Sequence, residues 1–355
     1  MERRSFLTGA AAVAAAALAS TMPLEAAPMP AQHHGRRIIK PRALAPGATI
    51  GIVAPASNID KAADLDEAKA TLEALGFRCV FGRHVSDKFG YLAGTDKERA
   101  EDVNEMFRRK DVDGIIALRG GWGCLRMIPY LDYRMIRRHP KVLMGYSDIT
   151  TILNAVYLRS GLVTFHGPVA LSTYNDYTNE YLKKAVFTPK PVGLVAQPIS
   201  SDPASTEDTS IVSLGTGKGT GPLVGGNLSL IVTMLGTPYE IDLKGKVLFL
   251  EEVGEEPYRV DRMLTHLWIT GRLSKLAGLV IGKFTNCVPK KVNPEYPASF
   301  TVEEILRDRI RPLGIPAISG VMIGHIKNKV TMPIGVRATV DADKKSLIIR
   351  ESAVV

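Results

Sequence analysis

From Ala48 onward the chain alternates two hydrophobic rhythms. Short continuous apolar runs, "ATIGIVAPA" (48–56), "FRCVFG" (77–82), "DGIIALRGGWG" (113–123), "KVLMGYS" (141–147) and "LVTFHGP" (162–168), read as strands. Between them lie stretches of helical period: "KAADLDEAKATLEALG" stopped by Gly76, "DKERAEDVNEMFRRK", and "DITTILNAVYLRSG" stopped by Gly161. Strands apolar on both faces, separated by helices, predict a parallel α/β sheet covered on both sides.

The rhythm breaks after Thr188, where Pro, Ser, Thr, Gly and Asp dominate. Residues 189–221 read as a connection between an α/β domain over 45–188 and a second domain over 222–355. The "GTGKGTG" inside it is not a phosphate loop, because Gly219 follows Lys218 where Ser or Thr is needed. Beyond it the alternation resumes. "NLSLIVTMLG" reads as a helix, "GKVLFLEE" as a strand, "PYRVDRMLTHLWITGRL" as a helix with Pro257 in its first turn, and "AGLVIGKF" as a strand. "TVEEILRDRIRPLG" is then a helix, "IPAISGVMIG" (315–324) a strand, and "ATVDADKKSLIIR" a closing pair of short strands. The sequence shows no internal repeat.

Residues 1–27 stand outside this pattern. Arg3 and Arg4, then Ser-Phe-Leu, an alanine-rich run and small residues at Ala26 and Ala27 resemble a twin-arginine export signal. The run is too weakly apolar for stable membrane insertion. Export would place the mature chain in the periplasm, with 28–44 as a flexible leader. The formal charge of +9 survives removal of the signal and is spread along the chain without a long basic run. That argues against a nucleic-acid partner, which calls for charge concentrated on one element. Three cysteines, Cys79, Cys124 and Cys287, share no metal-type spacing, and neither H-e-x-x-H nor C-x-x-C occurs. No metal or cofactor is expected.

Sites in open parallel sheets collect beyond the carboxyl ends of the strands. Four such ends carry chemistry here: "LRGGWG", "GYSD", "FLEEVGEEPY" and "MIGHIKNK". Together they supply a hydroxyl, carboxylates, a histidine and an unobstructed glycine backbone, the parts of a serine hydrolase. Ser147 is the candidate nucleophile, although Ser-Asp before a helix is also an ordinary cap. The stretch departs from G-x-S-x-G, since Ile149 stands where the second glycine belongs. For the base, His166 in "FHGP" and His325 in "GHIKNK" both follow strands. His33, His34, His84 and His139 fall in leader or loop, and His266 on a polar helix face. For the acid, Glu251 and Glu252 end a buried strand on opposite faces, and alternation alone does not choose between them. "RGGWG" suits an oxyanion hole and is no dinucleotide fingerprint. Cys124 reads as core.

Taken in order, "ALRGGWGCLRMIPYLDY", "LMGYSDITTILNA", "FHGPVA", "GGNLSLIVTMLGTPYEID", "VLFLEEVGEEPYRVDRMLTHL" and "GHIKNKVTMPIG" resemble the serine L,D-carboxypeptidase family, over about Ala45 to Val340. That family includes murein tetrapeptide carboxypeptidases and microcin C immunity peptidases. The resemblance implies a Rossmann-like N-terminal domain, a smaller β-rich α/β C-terminal domain and a homodimer. It implies a triad of Ser147, His325 and Glu251, with the backbones of Gly121 and Asp148 as oxyanion donors. Trp122, His166 and Asn227 are candidate substrate contacts, and Trp122 stands where the family often has Tyr or Phe. The expected activity is release of a terminal D-alanine from a murein tetrapeptide. The alternatives are cleavage of a peptidyl-nucleotide antibiotic, and a non-catalytic exported solute-binding protein.

Overall fold

The computed structural model describes residues 37–198, 208–289 and 298–355. The export signal with Arg3 and Arg4, the leader as far as residue 36 with His33 and His34, and part of the 189–221 connection lie outside the described residues. Among the described residues no helix is long and apolar enough to cross a membrane.

The N-terminal half alternates as the apolar rhythm predicts. Strands β1 (Thr49–Val53), β2 (Arg78–Phe81), β3 (Gly114–Ala117), β4 (Val142–Gly145) and β5 (Thr164–His166) are separated by helices. The helices are α1 (Ala63–Ala74), α2 (Asp96–Arg108), α3 (Cys124–Met127), α4 (Tyr133–Arg138) and α5 (Thr150–Ser160). The five strands pair in parallel, in the order β5-β4-β3-β1-β2. After α6 (Asp176–Val186) come β6 (Pro191–Leu194), β7 (Val212–Ser213) and β8 (Lys218–Asn227). Helix α7 (Leu228–Thr233), β9 (Val247–Val253), α8 (Pro257–Ile269), β10 (Gly278–Thr285), α9 (Val302–Ile310) and β11 (Ala317–Ser319) continue the α/β alternation. Strands β12 (Met332–Ile334), β13 (Arg337–Asp341) and β14 (Ser346–Ser352) finish the chain.

The second sheet has eight strands in the order β6-β14-β13-β8-β9-β10-β11-β7, parallel through β8-β9-β10-β11 and antiparallel toward both edges. It carries more strands than the first sheet, which is completed to six by β12. The connection expected over 189–221 carries strands of its own, and the half that follows it also reaches back to the first sheet. The supposed connection supplies β6, β7 and the first residues of β8. Its glycines look like loop because neighbouring backbones press on the strand: a Cβ on Gly219 would fall 1.6 Å from the Ala277 carbonyl oxygen. In the other direction β12 leaves the C-terminal half and adds antiparallel to β5, pairing Met332 with His166. The strand expected over 315–324 is real only at Ala317–Ser319. Gly320 and Gly324, at φ +102° and +119°, turn the chain away from the end of β11, and it goes on to pair with β5.

Helix α5 buries polar as well as apolar residues. Nine of its residues are buried, on all sides, because it lies between the two sheets. Asn154 Nδ2 donates to the Gly225 carbonyl at 2.9 Å, and Asn227 N donates to Thr150 Oγ1 at 3.0 Å, so the helix is bonded directly to β8. The ends of β4, β5, β8 and β9 are thereby held around one place.

Candidate active site

Strand β4 is buried throughout and ends at Gly145. Tyr146 is fully extended, and Ser147 then takes φ +64°, a left-handed conformation that costs a non-glycine residue about 1–3 kcal/mol. A one-turn 3₁₀ helix, Ser147–Ile149, leads into α5. The position preceding that turn belongs to Tyr146, and no side chain caps it, so Ser147 is not the cap that its sequence allowed. Ile149, where a second glycine was missing, packs over Gly145. The serine is half-buried at the top of the sheet.

The turn after β3 closes over this serine. A Cβ on Gly120 would stand 2.8 Å from Ser147 Cβ, and one on Gly121, at φ +125°, would stand 2.1 Å from Ser57 Oγ. Only glycine fits either place. Ser57 Oγ accepts the Trp122 N–H at 3.1 Å, and Asp148 Oδ2 accepts the Cys124 N–H at 2.7 Å. Asp148 is buried, which pushes its carboxyl upward against the hydrogen bonds that lower it. Trp122 itself is 65% exposed and meets Tyr91 edge to face at 6.2 Å.

From the other sheet β9 delivers Glu251, fully buried. His325 Nδ1 lies 2.8 Å from Glu251 Oε2, and His166 Nε2 lies 3.7 Å from Glu251 Oε1, beyond hydrogen-bond reach. Burial raises the Glu251 carboxyl, but the two imidazoles outweigh it and draw the group down from 4.5 to about 2. Tyr146 is the common wall: its ring meets His325 at 4.9 Å and His166 at 6.2 Å. Of the two histidines that sequence left as rivals, both reach Glu251. Only His325 does so with a hydrogen bond, and it retains some solvent exposure.

Glu252 points to the opposite face, where Asn227 Nδ2, Ser229 N, Ser229 Oγ and Val253 N all donate to it at 2.7–2.9 Å. Asn227 is 3% exposed, spends its amide on Glu252 and caps α7 through Leu230 N. The structure thus ties Asn227 into the architecture around Glu252, while its Nδ2 keeps a second hydrogen without a partner in the described contacts. Cys124 is buried with its thiol pushed upward by desolvation, as suits core. His84, Asp87 and Glu98 bring ligand-type atoms within 4.8 Å of one another. His84 bonds Asp87, however, and Glu98 caps α2 through Thr95. Sequence reasoning missed Ser57, Gly120, Tyr146 and Lys329. No motif flags Ser57. Tyr146 and Lys329 sat inside quoted motifs, but strand periodicity does not say that an aromatic and a cation there share one wall.

Residues 50–167 match the LD-carboxypeptidase N-terminal domain and residues 220–340 the LD-carboxypeptidase C-terminal domain. A protein of Bacillus subtilis (strain 168), described as a probable murein peptide carboxypeptidase, is 41% identical over 311 residues, covering 87% of this chain and 94% of its own. The crystal structure of muramoyltetrapeptide carboxypeptidase from Oxalobacter formigenes superposes with a TM-score of 0.71 at 30% identity, covering 86% of this chain and 99% of that one. The structure of MccF in complex with glutamyl sulfamoyl guanosine gives a TM-score of 0.79 at 25% identity, over 89% and 99% of the two chains. With both domains matched in order along one chain, the protein belongs to the LD-carboxypeptidase family.

Proposed function

We propose that this carboxypeptidase hydrolyses the amide bond to a C-terminal D-amino acid, D-alanine in a murein tetrapeptide, through an acyl-enzyme on Ser147. The observation that carries the reading is the 2.8 Å contact between Glu251 Oε2 and His325 Nδ1, with the His325 ring against Tyr146, the residue that precedes a strained serine at a strand end. Glu251 would fix the imidazole's tautomer and stabilise the imidazolium, leaving Nε2 to take the Ser147 proton and return it to the departing amine. The N–H groups of Gly121 and Asp148 would receive the oxyanion: Gly121 belongs to a turn pressed against the Ser147 turn, and Asp148 lies in a first turn that has no helical acceptor. The murein peptide named for the Bacillus relative supports this substrate class. Incubation with murein tetrapeptides and mass spectrometry for released D-alanine tests it. Intact tetrapeptide after long incubation would count against it.

A second reading, cleavage of a peptidyl-nucleotide, is favoured by one observation. The exposed Trp122–Tyr91 pair is an aromatic surface on which a base could stack, and the MccF structure shares the fold. The same assay on that compound class decides between them. A solute-binding protein has no need of a strained serine or a paired Glu-His. We also propose export by the twin-arginine signal to the periplasm, where a basic chain would meet acidic wall peptides, and a homodimer. Arg3→Lys with Arg4→Lys should retain the chain in the cytoplasm, and unchanged periplasmic accumulation would rule out that route. Sedimentation of the full chain tests the dimer.

A further inference from the structure

One side chain of this site has no place in the triad. Lys329 is 5% exposed, yet among the described residues no acceptor or carboxylate pairs with its Nζ. Burying an ammonium without a partner is costly, and proteins rarely leave one so. Among the described residues it faces the ring of Tyr146, with Nζ 5.1 Å from the centroid. That ring also walls His325, and the next residue is Ser147.

The lysine is held there by the first sheet's side of the molecule. Its N–H donates to Thr178 Oγ1 at 3.1 Å, while Thr178 Oγ1 donates to the Lys327 carbonyl at 3.0 Å. Asn175 Nδ2 bonds Asn328 Oδ1 at 2.7 Å, and Val330 N bonds the Met322 carbonyl at 2.8 Å. The segment that carries His325 is thus clamped on both sides of Lys329. Desolvation lowers the ammonium from 10.5 to about 8, and the charge of Glu251 opposes the fall. A cation so desolvated and preorganised gains most from an anion that arrives with the substrate.

Building on the carboxypeptidase reading, we propose that Lys329 is the receptor for the substrate's terminal α-carboxylate. It would form a charge-assisted hydrogen bond that selects peptides with a free C-terminus. A carboxypeptidase must tell a terminal amide bond from an internal one, and the free carboxylate is the chemical difference between them. Among the described residues, Lys329 is the unpaired buried cation that faces the ring of Tyr146, the residue before Ser147.

The test compares a murein tetrapeptide ending in free D-alanine with the same peptide ending in D-alaninamide, using the full chain. Wild type should prefer the acid. Lys329→Met keeps the shape and removes the charge, and it should raise KM for the acid by about 10–100-fold. It should leave kcat within a few-fold and leave the amide unaffected, so that the preference collapses. Lys329→Arg should recover part of it. Lys329→Gln, run beside the others with thermal melts on all, should fall between Met and wild type and guards against one variant misfolding. An unchanged acid-to-amide preference in Lys329→Met or Lys329→Gln would overturn the proposal. So would an equal loss of kcat on both substrates, which would mean that the lysine acts through Glu251. A wild type inert toward the tetrapeptide would instead overturn the carboxypeptidase reading itself, and the proposal with it.

Discussion

His166 Nε2 and Glu251 Oε1 face each other across 3.7 Å, both fully enclosed, and neither has a hydrogen-bond partner among the described residues. His325 holds the other oxygen of the same carboxylate, so Glu251 lies between two imidazoles. Its folded-state carboxyl titrates near 2 against an ordinary 4.5. The stability it contributes is therefore complete above about 4.5 and is lost as pH falls toward 2. His166→Phe fills the space between Phe249 and Tyr146 but removes one imidazole. Unfolding free energy measured against pH should fall less steeply between 4.5 and 2 in that variant than in wild type. Turnover should drop by much less than the ~10³-fold expected for loss of a triad member. Equal slopes would mean that His166 does not sense Glu251.

The two adjacent glutamates should separate cleanly. Glu251→Gln, His325→Ala and Ser147→Ala should each lower kcat by at least ~10³-fold while thermal unfolding stays cooperative. Glu252→Ala should do the reverse. It strands the buried donors of Asn227, Ser229 and Val253, which predicts a loss of about 1–3 kcal/mol in stability for each unsatisfied group, with modest change in turnover at permissive temperature. Denaturant melts and steady-state kinetics on the same preparations check both halves. A stable, inactive Glu252 variant would invert the assignment.

Gly121 should tolerate no side chain. Gly121→Ala adds a Cβ 2.1 Å from Ser57 Oγ at a φ that L-residues rarely adopt. Displacing one oxyanion donor predicts about a 10²–10³-fold loss in kcat. Ser57→Gly in the same chain removes the clash but leaves the backbone strain, so it should restore part of the stability and little of the rate. Full recovery of rate would place the effect in packing.

Local rhythm made the parallel sheets and the chemistry at their strand ends legible, because a buried parallel strand needs a continuous apolar run and has to stop where its side chains do work. "KVLMGYSD" shows both in eight residues. What stayed illegible was long-range. Nothing local says that Met332–Ile334 will cross back to pair with β5, yet that crossing brings the His325 segment to the first sheet. Nor could alternation choose between Glu251 and Glu252, since both faces of β9 are buried and only the partners differ. Lys218–Gly221 was misread as part of a connection because its glycines answer neighbouring backbones that are remote in sequence.

Trp122 offers the last separation, between two substrates. Its backbone is pinned through Ser57 while its ring lies mostly in solvent against Tyr91, so its removal should leave the turn and the triad in place. A murein tetrapeptide has no aromatic ring to stack there, whereas a peptidyl-nucleotide brings a base that stacks for about 1–3 kcal/mol. Trp122→Ala should therefore raise KM for a peptidyl-nucleotide by about 5–150-fold and change turnover of the tetrapeptide by less than about threefold. If the two substrates respond alike, Trp122 acts through the glycine turn. A loss confined to the tetrapeptide would show that the aromatic pair borders the peptide, and would remove the one structural observation that favours the nucleotide reading.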